Sequence, residues 1–143
     1  AVKKLTSLPV GVTMTFNRTR RGYFTLVGDT VEQCMKTLAD AGADVTGANC
    51  SLTPPDMAPR AKLITGQTGL PVLLQPNAGQ PQVRGSEVFY DTDPEKFAEQ
   101  IRPLLDAGVG AIGGCCGTTP HHIRALRHLL DTREHLGEHC GNF

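Results

Sequence analysis

Val109-Gly110-Ala111-Ile112-Gly113-Gly114-Cys115-Cys116-Gly117-Thr118-Thr119-Pro120 is the stretch on which the reading of the 143-residue chain turns. Residues 109–113 form a short apolar run bounded by glycines, as a buried strand does. Thr119 followed by Pro120 reads as a helix start, with an N-cap and a proline at the first helical position. Two adjacent cysteines lie between the strand and the helix. Successive strand residues face opposite sides of a sheet, so Cys115 and Cys116 can meet one ligand only where the backbone bends. Gly113, Gly114 and Gly117 allow such a bend.

The same strand–loop–helix order runs through the rest of the chain. Residues 8–16 predict a buried strand, followed by a polar, basic loop over 17–28 with room for a small hairpin. Thr30 fits an N-cap with Gln33 as its capping-box partner. Val31, Cys34, Met35, Leu38 and Ala41 follow at helical spacing, and Gly42 suits the C′ position. Residues 43–49 predict a second strand ending at Cys50, and the proline-rich run 51–59 a loop into a short helix bearing Ala61, Leu63 and Ile64. Residues 70–75 predict a third strand, apolar on both faces as a covered parallel strand is, then a turn at 76–79 and a polar loop over 80–92. Asp93 and Pro94 open a helix with Phe97, Ile101, Leu104 and Leu105 on its apolar face, although Pro103 should kink or weaken its end; Gly108 closes it. The last helix carries Ile123, Leu126, Leu129 and Leu130, and the polar residues from Asp131 onward predict fraying.

Four strand–helix repeats imply an α/β fold with parallel strands and right-handed crossovers. Thr15-Phe16, Asn49-Cys50, Asn77 and Cys115-Cys116 all fall just beyond strand ends, at the edge where α/β folds build their sites. The length suggests a single domain over 1–143, with 131–143 as a frayed tail. Fourteen basic and 14 acidic residues cancel, so no basic surface argues for nucleic acid. No apolar run reaches the roughly 18 residues that would argue for a membrane span, and the first residues lack the apolar core of a signal peptide. The absence of an initiator Met hints at a fragment, though processing also removes it. Five cysteines are an odd count in a chain that is neither small nor loop-rich, which favours reduced thiols in a cytoplasm over disulfide stapling.

Cys50 lies 65 positions before Cys115, at an equivalent strand end. Three thiolates favour zinc and leave one tetrahedral position open, as a catalytic site does. A helix N-terminus nearby would help them ionise. The competing readings of the double cysteine are two unreactive buried thiols or a vicinal disulfide. Cys34 reads as a core thiol. Cys140, with His135 and His139, reads as a solvated tail before it reads as a surface metal site. His121 and His122 read as partly exposed first-turn residues, with an acid–base or ligand role as the alternative. The G-x-G-x-x-G match from Gly108 to Gly113 begins at a helix end and runs through the strand, which is the wrong context for a dinucleotide loop.

Gly47-Ala48-Asn49-Cys50-Ser51, Pro76-Asn77-Ala78-Gly79 and Gly113-Gly114-Cys115-Cys116-Gly117-Thr118-Thr119-Pro120 together resemble, in order, the motifs of the homocysteine S-methyltransferase family. The spacing is nearer to the cobalamin-dependent methionine synthase type. The resemblance implies a (β/α)8 TIM-type barrel, of which these four βα units are the C-terminal half. It also implies zinc held by Cys50, Cys115 and Cys116, and substrate-binding positions at Asn49, Asn77 and Gly114. Homocysteine sulfur would take the open metal position and accept a methyl group to give methionine. The donor would be supplied elsewhere, with methylcobalamin one candidate. The family's N-terminal half, with its glycine-rich opening motif and the acidic residues expected to hold the ammonium group, is absent from these residues. Bare sheet edges therefore predict pairing, either as a homodimer of half-barrels or with a complementary N-terminal half. The alternatives are a non-catalytic zinc-binding half-barrel and a methyltransferase for another thiol or selenol.

Overall fold

The computed structural model describes residues 2–135. A short 3-10 turn, Val2–Lys4, precedes strand β1, Gly11–Met14. A hairpin of β2 (Asn17–Thr19) and β3 (Gly22–Phe24) leads to helix α1, Val31–Asp40. Strand β4, Val45–Asn49, is followed by α2, Pro54–Gly66, and strand β5, Val72–Gln75, by a second hairpin, β6 (Gln82–Arg84) and β7 (Glu87–Phe89). Helix α3, Pro94–Leu105, strand β8, Ala111–Ile112, and helix α4, Pro120–His135, complete the order.

β1, β4, β5 and β8 form one parallel sheet in that spatial order. Spatial order follows chain order, so the sheet winds one way and has no switch point, as a barrel segment does and a doubly wound sheet does not. Successive helices pack on one another along one face of the sheet. Thr46, Ala48, Val72 and Leu74 point under those helices and are buried. There they meet Met35, Met57, Ile64, Phe97, Ile101 and Leu104, all almost fully enclosed. On the other face Val45, Asn49, Leu73 and Gln75 are half-buried. The molecule is thus the predicted half-barrel, with β1 and β8 as its edge strands.

Thr30 and Gln33 form the predicted capping box, and Asp93 caps α3 through the Lys96 N–H. Several expectations need correcting. The 51–59 run is not all loop: α2 begins at Pro54 with Thr53 as N-cap, because prolines are well placed in a first turn. Pro59 and Pro103 lie inside helices without ending them. Both are exposed, as are Pro55 and Glu99 four residues earlier, so water can serve the carbonyls that lose a partner. The polar loop 80–92 contains the β6–β7 hairpin, paired through Gln82 with Phe89 and Arg84 with Glu87. Strand 109–113 shrinks to Ala111–Ile112, and strand 8–16 to Gly11–Met14. The helix predicted to fray from Asp131 continues through His135, since Arg133 is buried and paired with Asp106 at 2.8 Å. Residues 136–143, including His139 and Cys140, lie outside the described residues, as does the His135 side chain.

β4 fits against β5 only because residue 47 is glycine. A Cβ there would lie 1.8 Å from the Leu73 carbonyl oxygen.

Candidate metal centre

Cys50 follows the last residue of β4, and its backbone N–H donates to the Gln75 carbonyl at the end of β5. Cys50 and Ser51 both adopt left-handed backbone angles, with φ of 59° and 55°. The chain turns sharply there, and the Leu52 N–H reaches back to the Cys50 carbonyl at 2.6 Å. Leu52 in turn accepts the Asn77 N–H. The Cys115–Cys116 turn is tied to the same place from the other side. The Cys115 N–H donates to the Pro76 carbonyl, and the Cys116 N–H to Asn77 Oδ1 at 3.2 Å. The Cys116 carbonyl accepts the Ala78 N–H. Three loops from three strand ends are thereby stitched into one rim.

That rim gathers the sulfurs. The ligand atoms of Cys50, Cys115 and Cys116 lie within 4.8 Å of one another. The Cys116 sulfur is 3.6 Å from Cys50 and 4.0 Å from Cys115. A tetrahedral site with metal–sulfur bonds of about 2.3 Å has sulfur–sulfur edges of about 3.8 Å, so Cys116 sits at a ligand's distance from both neighbours. Cys50 and Cys115 themselves are joined as a disulfide, with Cα atoms 5.6 Å apart. The vicinal Cys115–Cys116 disulfide is therefore not formed, and Cys116 is a free, exposed thiol. Reduction of the Cys50–Cys115 bond yields three convergent thiolates, a soft donor set suited to zinc. On donor chemistry and on spacing, the residues present fit a zinc ion.

The other anticipated residues separate by role. Asn49 accepts a hydrogen bond from Thr15 Oγ1 at 3.4 Å, which joins the β1 and β4 ends. Asn77 is buried, and its Oδ1 braces the double-cysteine turn. Gly114 gives room to Thr118, whose Cγ2 lies 2.3 Å from where a Cβ would stand. Cys34 is a buried core thiol, as predicted, and burial followed by the nearby Asp29 charge raises its pKa.

His122 is not partly exposed, as the sequence suggested, but buried. Its ring sits edge-on to Phe97 with centroids 5.4 Å apart. Its Nδ1 accepts the Thr119 N–H at 3.1 Å, which makes Nε2 the donor to the Thr92 carbonyl at 2.9 Å. It therefore fastens the start of α4 to the segment before α3. His121 is exposed. Sequence reasoning missed Tyr90, hidden in the supposed polar loop, whose ring packs over Gly117 beside the double cysteine. The available signal was the aromatic pair Phe89-Tyr90 near the close of a largely polar stretch.

A family model described as homocysteine S-methyltransferase matches residues 1–130. The chain belongs to the homocysteine S-methyltransferase family. Methionine synthase of Mycobacterium leprae is 31% identical over 102 residues, which are 71% of this chain and 8% of that protein. Methionine synthase of Mycobacterium tuberculosis is 32% identical over 102 residues, again 71% of this chain and 9% of that protein. The chain thus spans less than a tenth of these relatives. The crystal structure of the homocysteine methyltransferase MmuM from Escherichia coli, in its metallated form, superposes with a TM-score of 0.65 at 23% identity. The match covers 89% of this chain and 38% of that one, and it supports the fold. Within this family fold, no helix among the described residues is long and apolar enough to cross a membrane.

Proposed function

We propose that the chain is the zinc-bearing half of a homocysteine S-methyltransferase, with Cys50, Cys115 and Cys116 as the metal ligands. The observation that carries this reading is the convergence of three sulfurs within 4.8 Å from turns 65 residues apart in sequence. Zinc, when bound, would supply a position at which a substrate thiol is held as thiolate near neutral pH. The chain's own residues do the positioning. The Asn77 carboxamide fixes the Cys116 backbone, and the Thr15–Asn49 contact fixes the end of β4 beside Cys50. Gly114 leaves room for Thr118 within the double-cysteine turn. Asn49, Asn77 and Gly114 are accordingly the candidate contacts to the amino acid. Transfer of a methyl group from a donor held elsewhere, such as methylcobalamin, would give methionine. The need for reduced thiols fits a cytoplasmic setting.

X-ray absorption at the zinc edge, with and without homocysteine, tests the assignment. The expected change is from three sulfurs and one light atom to four sulfurs. An unaltered spectrum favours a non-catalytic zinc-binding half-barrel, or one that takes a different thiol or selenol. The half-buried inner face and the free edges of β1 and β8 support a second element of the reading, that the half-barrel pairs with a copy of itself or with a complementary half. A cleanly monomeric species at micromolar concentration in ultracentrifugation would sink that element.

A further inference from the structure

The three sulfurs come from the two strands that flank β5. Cys50 follows β4, Cys115 and Cys116 follow β8, and β5 lies between those strands in the sheet. The sulfurs nonetheless lie within 4.8 Å of one another, so the cluster spans the end of β5. Gln75 is the last residue of that strand. Its carbonyl accepts the Cys50 N–H, and the carbonyl of Pro76 accepts the Cys115 N–H. Both sulfur-bearing turns are thus hung on one strand end.

The direction of the Gln75 side chain follows from the strand. Leu74 is wholly buried under the helices. Successive strand residues face opposite sides, so Gln75 faces the inner side of the half-barrel. There it lies over Gly113, where a Cβ would stand 3.4 Å from the Gln75 Cγ and 3.7 Å from its Nε2. Two other carboxamides stand at the same rim, and the protein uses both: Asn49 accepts from Thr15 Oγ1, and Asn77 braces the Cys116 N–H. The Gln75 side chain is half-buried and makes no hydrogen bond to any described residue. Its two N–H donors and its carbonyl oxygen can therefore meet a ligand without breaking a bond within the fold.

We propose that Gln75 is a specificity-determining residue of the sulfur site, its Nε2 donating to the carboxylate of the amino-acid thiol whose sulfur the three cysteines receive through the metal. The proposal rests on the thiol-binding reading above and deepens it by naming the group that separates an amino-acid thiol from a plain one. A thiol held at the cluster over the end of β5 has its polar end a short carbon chain away, on the inner face where Gln75 stands. A hydrogen bond from the amide to a carboxylate is charge-assisted, which makes it one of the stronger contacts a neutral side chain can offer.

Gln75→Met keeps the length of the side chain and removes its polar end, and Gln75→Leu is a second apolar replacement. The parent and both variants, as reduced 143-residue chains, are loaded with cobalt(II). Thiol binding is read as the rise in sulfur-to-cobalt charge transfer. Three thiols are titrated: homocysteine, 4-mercaptobutyrate, which lacks the ammonium group, and 3-aminopropanethiol, which lacks the carboxylate. The expected result is that homocysteine and 4-mercaptobutyrate bind about ten- to a hundredfold more weakly to the variants, whereas 3-aminopropanethiol binds as it does to the parent. The three are compared on the same loaded variant, so a loss of stability cannot single out the thiols that carry a carboxylate. Unchanged homocysteine binding overturns the proposal, as does equal weakening of all three thiols or a loss of cobalt from both variants. Weakening confined to homocysteine and 3-aminopropanethiol would give the amide to the ammonium group and overturn the carboxylate contact. A parent chain that takes up cobalt and responds to none of the thiols sinks the thiol-binding reading itself, and the Gln75 role with it.

Discussion

The turn after β4 and the turn after β8 bring sulfur to the same rim by opposite backbone solutions. After β8, glycine does the bending: Gly117 has φ +79° and Gly114 accommodates Thr118, so the two cysteines keep ordinary angles. After β4 there is no glycine at the bend, and Cys50 and Ser51 are themselves left-handed. A non-glycine residue in that region costs roughly 1–2 kcal/mol. Such strain persists only where the surroundings over-determine the backbone. Here the Gln75, Leu52 and Asn77 backbone bonds do so. The difference teaches where the chain gave up stability. A turn that must carry a sulfur at the bend itself cannot use glycine there, whereas one that can place glycines beside its sulfurs avoids the cost.

The largest expected effects break the site that both turns serve. Cys50→Ser should abolish measurable zinc retention, a loss on the order of a hundredfold or more, since removing a ligand exceeds the effect of any outer contact. Cys34→Ser, in the core behind the sheet, should retain zinc. Metal content after dialysis checks both, and equal loss from the two variants would overturn the ligand assignment. Next in size is the glycine turn. Gly117→Ala forces a Cβ into left-handed space and into the Tyr90 ring. It should cost roughly 2–4 kcal/mol, read by urea unfolding of the reduced chain.

The comparison also separates what the sequence could disclose from what it could not. Caps and apolar faces were readable because their signals are local: Thr30 and Gln33 are three residues apart, and Phe97 and Ile101 four. The double cysteine was readable because glycines and a helix start surround it. The strain at Cys50 and Ser51 left no trace, because neither residue favours φ above zero. The hairpin β6–β7 was illegible for a different reason. Val83, Val88 and Phe89 are all exposed, so its strands carry no alternation between a buried and a solvated face. His122 and Tyr90 were misplaced because their partners, Phe97 and Gly117, lie far along the chain. Arg133 escaped notice likewise, its burial depending on Asp106 at the end of another helix.

Ser51→Gly probes the strained turn with a smaller effect of opposite sign. It relieves roughly 1–2 kcal/mol of left-handed strain but adds backbone freedom to the unfolded chain, worth about 0.5–1 kcal/mol. The expected net gain is about 0.5–1 kcal/mol. Zinc retention should be unchanged, since Cys50 itself is untouched. Destabilisation by Ser51→Gly would mean that the turn is not strained at that residue, and the contrast between the two turns would rest on Cys50 alone.

The smallest effect lies at the opposite end of β4, where no sulfur constrains the backbone. Asp44 accepts hydrogen bonds from Lys3 Nζ and from the Val10 N–H, the latter at 2.6 Å. These two bonds, that from Lys3 first, hold its carboxyl below the usual carboxylate range, with the Lys3 charge adding a lesser pull. A carboxyl whose pKa is lower folded than unfolded stabilises the fold above the unfolded value, about 3.9. That contribution is lost as pH falls through the folded value. Asp44→Asn should therefore be slightly less stable than the parent at every pH from about 5 to 8. The gap should close in acid, below about pH 4. Urea midpoints across that range provide the check. Asp44 is far from the rim, so zinc retention should not follow this variant at any pH above the acid limb. A coupled loss of metal would show that the two ends of β4 are not independent, and would extend to the whole strand the constraint now confined to the sulfur-bearing turns.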